Sequence, residues 1–200
     1  CRENIAKLMN ISNPMNIVFT HNATDSLNLA IKGVLKSGEH VITTSMEHNS
    51  VIRPIKALES KGVENTIVKC DKEGFLNPED IKKAIKSNTK LIVTTHASNV
   101  CGTIVDIKAV GEIAKEHNVL YLVDASQTLG LYDIDVNELN VDMIAAPGHK
   151  CLLGPQGTGM LYVRDNLNIN ILKEGGTGSN SEDLFQPNMV PDKYESGTHN

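Results

Sequence analysis

Short apolar runs, each closed by polar residues and most of them separated by helical patterns, recur along the whole chain. This alternation constrains the fold more than any other feature. Residues 16–20, 40–44, 65–69, 91–95, 120–123, 143–146 and 159–163 read as strands of four or five residues rich in Val, Ile, Leu and Thr. Residues 25–35 put Leu27, Ala30, Ile31 and Val34 on one helical face, with Gly38 as a stop. Residues 50–60 read as a helix ended by Lys61-Gly62, and residues 107–116 as an amphipathic helix followed by Asn118. Asn77-Pro78 is an N-cap with proline at the first helical position, opening a helix to Ile85. A further helix closes at Met9. Strands alternating with helices imply an α/β fold of three layers, a mostly parallel sheet with helices on both faces. Two hundred residues suffice for one substantial core, or one and a fraction domains.

In open sheets of this kind ligands bind beyond the carboxyl ends of the strands. The polar groups fall there: Asn22-Ala23-Thr24, Glu47-His48, His96 to Asn99, Asp124, and Gly148-His149-Lys150. A carboxylate at the end of one strand and a lysine just past the next can hold two ends of one flat cofactor. Pyridoxal phosphate needs that pair, since its ring nitrogen must stay protonated beside an acid and its aldehyde must be parked on a lysine as a Schiff base. A lysine after a strand is ordinarily a solvated charge. Here glycine and histidine precede Lys150, and the turn Gly154-Pro155-Gln156-Gly157-Thr158-Gly159 follows it, as expected where backbone must approach something closely. Ala23 and Thr24 open a helix straight after a strand, where free N–H groups and the positive dipole end favour an anion such as phosphate. Asp25 is read as capping the first turn with its carboxylate turned away.

Six stretches in a fixed order make the reading specific. They are Thr20-His21-Asn22-Ala23-Thr24-Asp25-Ser26-Leu27-Asn28, Glu47-His48-Asn49-Ser50, Thr95-His96-Ala97-Ser98-Asn99-Val100-Cys101-Gly102-Thr103, Val123-Asp124-Ala125-Ser126-Gln127-Thr128, Gly148-His149-Lys150 with Gly154-Pro155-Gln156-Gly157, and Glu195-Ser196-Gly197-Thr198. Together they resemble the cysteine desulfurase and selenocysteine lyase branch of the class V aminotransferases, which have the fold type I architecture of pyridoxal-phosphate enzymes. The resemblance implies that residues 1–200 are the cofactor-binding large domain of a longer enzyme, with an N-terminal segment and a C-terminal small domain outside them. The implied reaction takes L-cysteine to L-alanine and leaves sulfur as a persulfide on an enzyme cysteine of the C-terminal part. Another class V reaction on a different amino acid, and a non-catalytic scaffold that keeps the fold, are the alternatives. The intact Asp124, His48 and Lys150 set argues against the scaffold.

By the same resemblance Lys150 carries the cofactor, Asp124 pairs with its ring nitrogen, and His48 stacks on the ring and handles protons. Gln127 would meet the phenolic oxygen, and Asn99 the region of that oxygen and the substrate carboxylate. Ala23, Thr24 and His149 would hold the phosphate. Simpler roles exist for four of these: Asp124 as a helix N-cap, His48 as a capping or surface residue, Gln127 as a turn residue and Asn99 as a turn-satisfying amide. The family often has Ser or Thr where Pro147 stands, so one phosphate contact needs another donor, such as Thr177 across a dimer interface. The glycine-rich loop 175–180 has no apolar spacing to pack on its own core, which points to a homodimer and to weaker cofactor binding by these residues alone than by a longer chain.

A net charge of −5 and the lack of a basic stripe exclude nucleic acid as a partner, and no apolar stretch approaches membrane-spanning length. Cys1, Cys70, Cys101 and Cys151 show no CxxC spacing, so neither a metal site nor a disulfide framework is expected, and free thiols suit a reducing cytoplasm. Cys101, beside Asn99, reads as a packed small residue. His21, His40, His117 and His199 read as groups on solvated loops and helix ends. A sulfur-acceptor protein is a possible partner of an enzyme of this class.

Overall fold

The computed structural model of the chain describes residues 1–179 and 182–198. Asn180, Ser181, His199 and Asn200 lie outside the described residues, and with them one end of the 175–180 loop and the reading of His199. The strands are β1 (Ile17–Thr20), β2 (His40–Thr44), β3 (Glu64–Val68), β4 (Thr89–Thr95), β5 (Leu120–Asp124), β6 (Met143–Pro147) and β7 (Gly159–Val163). The helices are α1 (Arg2–Leu8), α2 (Ala23–Val34), α3 (Asn49–Glu59), α4 (Pro78–Ala84) and α5 (Ile107–Glu116). A 3₁₀ turn, Pro14–Asn16, leads into β1, and its N-cap Asn13 accepts the Met15 amide.

All seven strands form one sheet in the order β1-β7-β6-β5-β4-β2-β3. Every pairing is parallel except those of β7, which runs antiparallel to both neighbours. The exception has a local cause. The connection from Pro147 to Gly159 carries no helix, so the chain turns back beside β6 instead of crossing over.

Each face of the sheet buries its own cluster, because successive strand residues point to opposite sides. On one face Ile42, Ile92, Tyr121, Val123 and Ile144 meet residues of α1, α4 and α5. On the other, Val41, Leu91, Val93, Leu122 and Ala145 meet α2 and α3. Within α2 the apolar spacing read from the sequence is the buried face, with Leu27, Ala30 and Ile31 fully covered. Each such Leu or Ile contributes about 1.5–3 kcal/mol relative to exposure. Both faces are therefore occupied, and the row of strand ends at the carboxyl edge is left for polar groups.

The helix after β1 starts at Ala23, as the reading of Ala23-Thr24 as a helix opening has it, and Asn22 caps it by accepting the Asp25 amide at 2.9 Å. Three expectations change. Asp25 is not the cap; it pairs with Lys173 at 3.2 Å. His40 is not on a solvated loop. It is fully buried in β2, bonded to Thr89 and Thr66 hydroxyls at 2.8 Å each. The glycine-rich stretch is tied to its own chain, with the Gly197 amide on the Gly176 carbonyl at 2.8 Å and the Gly175 amide on Gln186 at 3.0 Å. Among the described residues no helix is long and apolar enough to cross a membrane.

Candidate active site

A cavity of about 210 Å³ opens at the carboxyl edge of the sheet. Five chain segments reach it, and each follows a strand that runs in the same direction: edge strand β1, and β2, β4, β5 and β6. Asn22, Ala23 and Thr24 come from the β1–α2 junction, His48 and Ser50 from the start of α3, Ala97 and Asn99 from the loop after β4, Asp124, Ser126 and Gln127 from the end of β5, and Pro147, His149 and Lys150 from the end of β6. Eight residues singled out from the sequence thus line one space: Ala23, Thr24, His48, Asn99, Asp124, Gln127, His149 and Lys150. Thr177 is not among them. Its hydroxyl lies 3.3 Å from the Ser179 carbonyl oxygen.

Asp124 ends β5 and is only 3% exposed. Its Oδ1 accepts the Ser126 amide at 3.0 Å and so closes a local turn; no helix follows β5, so the helix-cap reading of Asp124 does not hold. Burial pushes its carboxyl above the usual range, while the Ser126 hydrogen bonds and the nearby charge of Lys150 oppose this. A buried carboxylate lining a cavity favours a cationic ligand group there.

Another part of the lining has the donors that suit an anion. The α2 N-terminus presents its first amides, and the Thr24 hydroxyl lies 2.8 Å from the Ser50 hydroxyl. Ser50 in turn touches His48: its amide donates to Nδ1 at 3.1 Å and its hydroxyl sits 2.9 Å from the same nitrogen. Because Nδ1 accepts, the neutral His48 ring carries its proton on Nε2. Sequence reasoning missed Ser50 as a site residue, although it stands in the quoted Glu47-His48-Asn49-Ser50 stretch. It supplies a hydroxyl beside Thr24.

Two glycines explain the turn after Lys150. A Cβ on Gly159 would lie 2.5 Å from the Asn22 carbonyl carbon, so only glycine lets β7 start against the α2 cap. A Cβ on Gly148 would overlap the Thr158 hydroxyl. The Gly148 amide bonds the Thr158 carbonyl at 2.9 Å, and its own carbonyl accepts from Gly154 at 2.7 Å. The loop thereby pins Gly148 and presents His149 and Lys150, both exposed, at the rim.

The loop carrying Asn99 closes through the Ser98 amide on Thr103 and the Gly102 amide on Ser98, each at 3.0 Å. Cys101 at its tip is exposed rather than packed, a correction to the sequence reading. The Thr103 hydroxyl at 3.3 Å, with Ser98, brings its thiol down to about 7.

The profile of the class-V aminotransferase family matches residues 1–200. Cysteine desulfurase IscS of Dictyoglomus turgidum is 41% identical over 193 residues, covering 94% of this chain and 48% of that protein. A probable cysteine desulfurase of Methanothermobacter thermautotrophicus is 38% identical, covering 100% of this chain and 51% of its own length. Among solved structures, the apo cysteine desulfurase from Thermococcus onnurineus NA1 superposes with a TM-score of 0.92 at 32% identity, over 100% of this chain and 51% of that one. SspA in complex with cysteine gives 0.86 at 34% identity, over 100% and 55%. The chain spans about half the length of these relatives. The strand order, the polar row at the carboxyl edge and these matches together place it: the chain belongs to the class-V aminotransferase family.

Proposed function

We propose that this chain is the pyridoxal-phosphate-binding large domain of a cysteine desulfurase, which converts L-cysteine to L-alanine and passes the sulfur on as a persulfide. The observation that carries the reading is the meeting of Asp124, His48, Lys150 and the α2 N-terminus in one cavity. Relatives named cysteine desulfurase favour this substrate over other class V reactions.

The residues present fit the cofactor. A buried carboxylate matches a protonated ring nitrogen, a lysine at the rim matches an aldehyde, and a capped helix start with two hydroxyls matches a phosphate. Bound there, pyridoxal phosphate would supply an electron sink for bonds broken at the substrate's α-carbon. Asp124 would hold the ring nitrogen protonated. Lys150 would anchor the cofactor through its amine. Thr24, Ser50 and the Ala23 and Thr24 amides would fix the phosphate, with His149 beside them. His48, oriented by Ser50 at Nδ1, can hold a proton at Nε2 and release it. Asn99 and Gln127 would orient the phenolic edge.

Thr177 is assigned to the phosphate site of a second subunit, so the working enzyme is a homodimer in a reducing cytoplasm, with the nucleophilic cysteine and a sulfur-acceptor protein meeting it from outside residues 1–200. Cofactor titration followed by visible absorbance, and sulfide release from L-cysteine by the longer chain, test this reading. Cofactor binding with turnover of another amino acid in preference to cysteine would move it to a different class V reaction.

A further inference from the structure

A second carboxylate lies beside the cavity, and none of the roles above uses it. Glu47 follows β2 and folds back onto the strand end. Its Oε1 accepts the Thr44 hydroxyl at 2.6 Å, and its Oε2 is buried without a hydrogen-bond partner. Thr44, Thr95 and Asp124 close β2, β4 and β5, three adjacent strands, and Thr95 pairs in register with Asp124. Glu47 therefore sits in the same row as Asp124, near enough for the two carboxylates to repel.

Their surroundings differ. Asp124 has the Ser126 amide on one oxygen and feels the positive charge of Lys150. The charge that Glu47 feels is that of Asp124 itself. The other titratable groups facing Glu47 are Cys70, just past β3, and Tyr121 on β5; burial raises both, so both are neutral at pH 7. His48 is the next residue on its own loop. Two buried carboxylates in one site do not both ionise, and the one without cations takes the proton. Burial pushes the Glu47 carboxyl up to about 8, with Thr44 and the Thr95 backbone opposing and Asp124 adding. The proton belongs on Oε2, because Oε1 already accepts from Thr44.

We propose that Glu47 is a positioning residue: it holds the single proton of a buried carboxylate pair, and so keeps the negative charge on Asp124, where it faces the cavity. The row of strand ends then carries one charge, matched to one cationic ring nitrogen, rather than two. The role of the pair rests on the cofactor reading above, but its protonation can be measured without cofactor.

The test is a carbon-13 titration of glutamate-labelled, cofactor-free protein, with the Glu47 carboxyl signal identified by its loss in E47Q. The expected midpoint lies between about pH 7 and 9, and D124N should lower it by about one unit or more, since it removes the repelling charge. A midpoint below about 5.5, or one that D124N leaves in place, overturns the proposal. In a second measurement E47Q should bind pyridoxal phosphate at pH 6.5 within about threefold of wild type, because a neutral amide mimics a neutral acid. Folded E47Q protein whose affinity at that pH falls more than about tenfold would count equally against it. If wild type binds no pyridoxal phosphate, the cofactor reading fails, while the carboxyl titration still decides the pair.

Discussion

Removing the Glu195 carboxylate should unfasten the last described segment from the sheet. Arg2 grips Glu195 with two nitrogens, at 2.7 and 3.0 Å, and the Phe19 amide of β1 donates to the same carboxylate at 2.6 Å. Arg2 also donates to the Ile17 carbonyl and lies 4.4 Å from the centre of the Phe19 ring. The two side chains are 22% and 12% exposed. Exposed ion pairs contribute about 0–1 kcal/mol, and stripping one partner from a buried pair costs about 3–5 kcal/mol. This pair lies between, so about 2 kcal/mol is expected for the pair, plus about 1 kcal/mol for the lost acceptor of the Phe19 amide. Glu195→Ala should therefore cost about 3 kcal/mol in urea unfolding, with an unchanged slope. Glu195→Gln keeps an acceptor for Phe19 and should cost about half as much. In a double-mutant cycle with Arg2→Leu, the coupling should reach about 1–2 kcal/mol. A Glu195→Ala cost below about 1 kcal/mol, or no coupling to Arg2, would show that the clasp is a surface contact only.

Gly159→Ala should push Asn22 back and disturb the α2 start, weakening pyridoxal-phosphate affinity about tenfold or more in a titration, and unchanged affinity would mean that this close approach does not shape the phosphate site. Asp124→Asn in the full-length enzyme should retain the fold and lose most of its turnover, because an amide does not stabilise a protonated ring nitrogen; near-normal turnover would leave Asp124 as the turn acceptor for Ser126 alone. Stability should carry the signature of Glu47. Its folded-state value of about 8 lies above the ordinary 4.5, so between these pH values the unfolded chain has released a proton that the folded one retains, and stability falls as pH rises across that window. Glu47→Gln lacks this slope, and its melting temperature should gain on wild type steadily from pH 5 to 8; a constant difference would contradict the assignment.

The layers and the site were legible because each has a local signal. His40–Thr44, Gly159–Val163 and Ile107–Glu116 coincide with their sequence readings, since apolar period and burial agree there. The line of polar residues after successive strands was enough to gather eight cavity residues, because parallel strands put all their carboxyl ends on one edge. What escaped depends on partners distant in sequence. The direction of β7 follows from a helix-free connection, and the burial of His40 from hydroxyls on two neighbouring strands. The clasp of Arg2 on Glu195 joins residues 193 positions apart. Ser50 and Glu47 stood inside a quoted motif, but their work is visible only once Thr24 and Asp124 are brought beside them.

The most direct measurement is reduction of the pyridoxal-phosphate-loaded protein with borohydride, followed by peptide mapping. The cofactor reading predicts visible absorbance on loading, its loss on reduction, and the label on Lys150. Label on another lysine, or saturable cofactor binding with no covalent label at all, would contradict it.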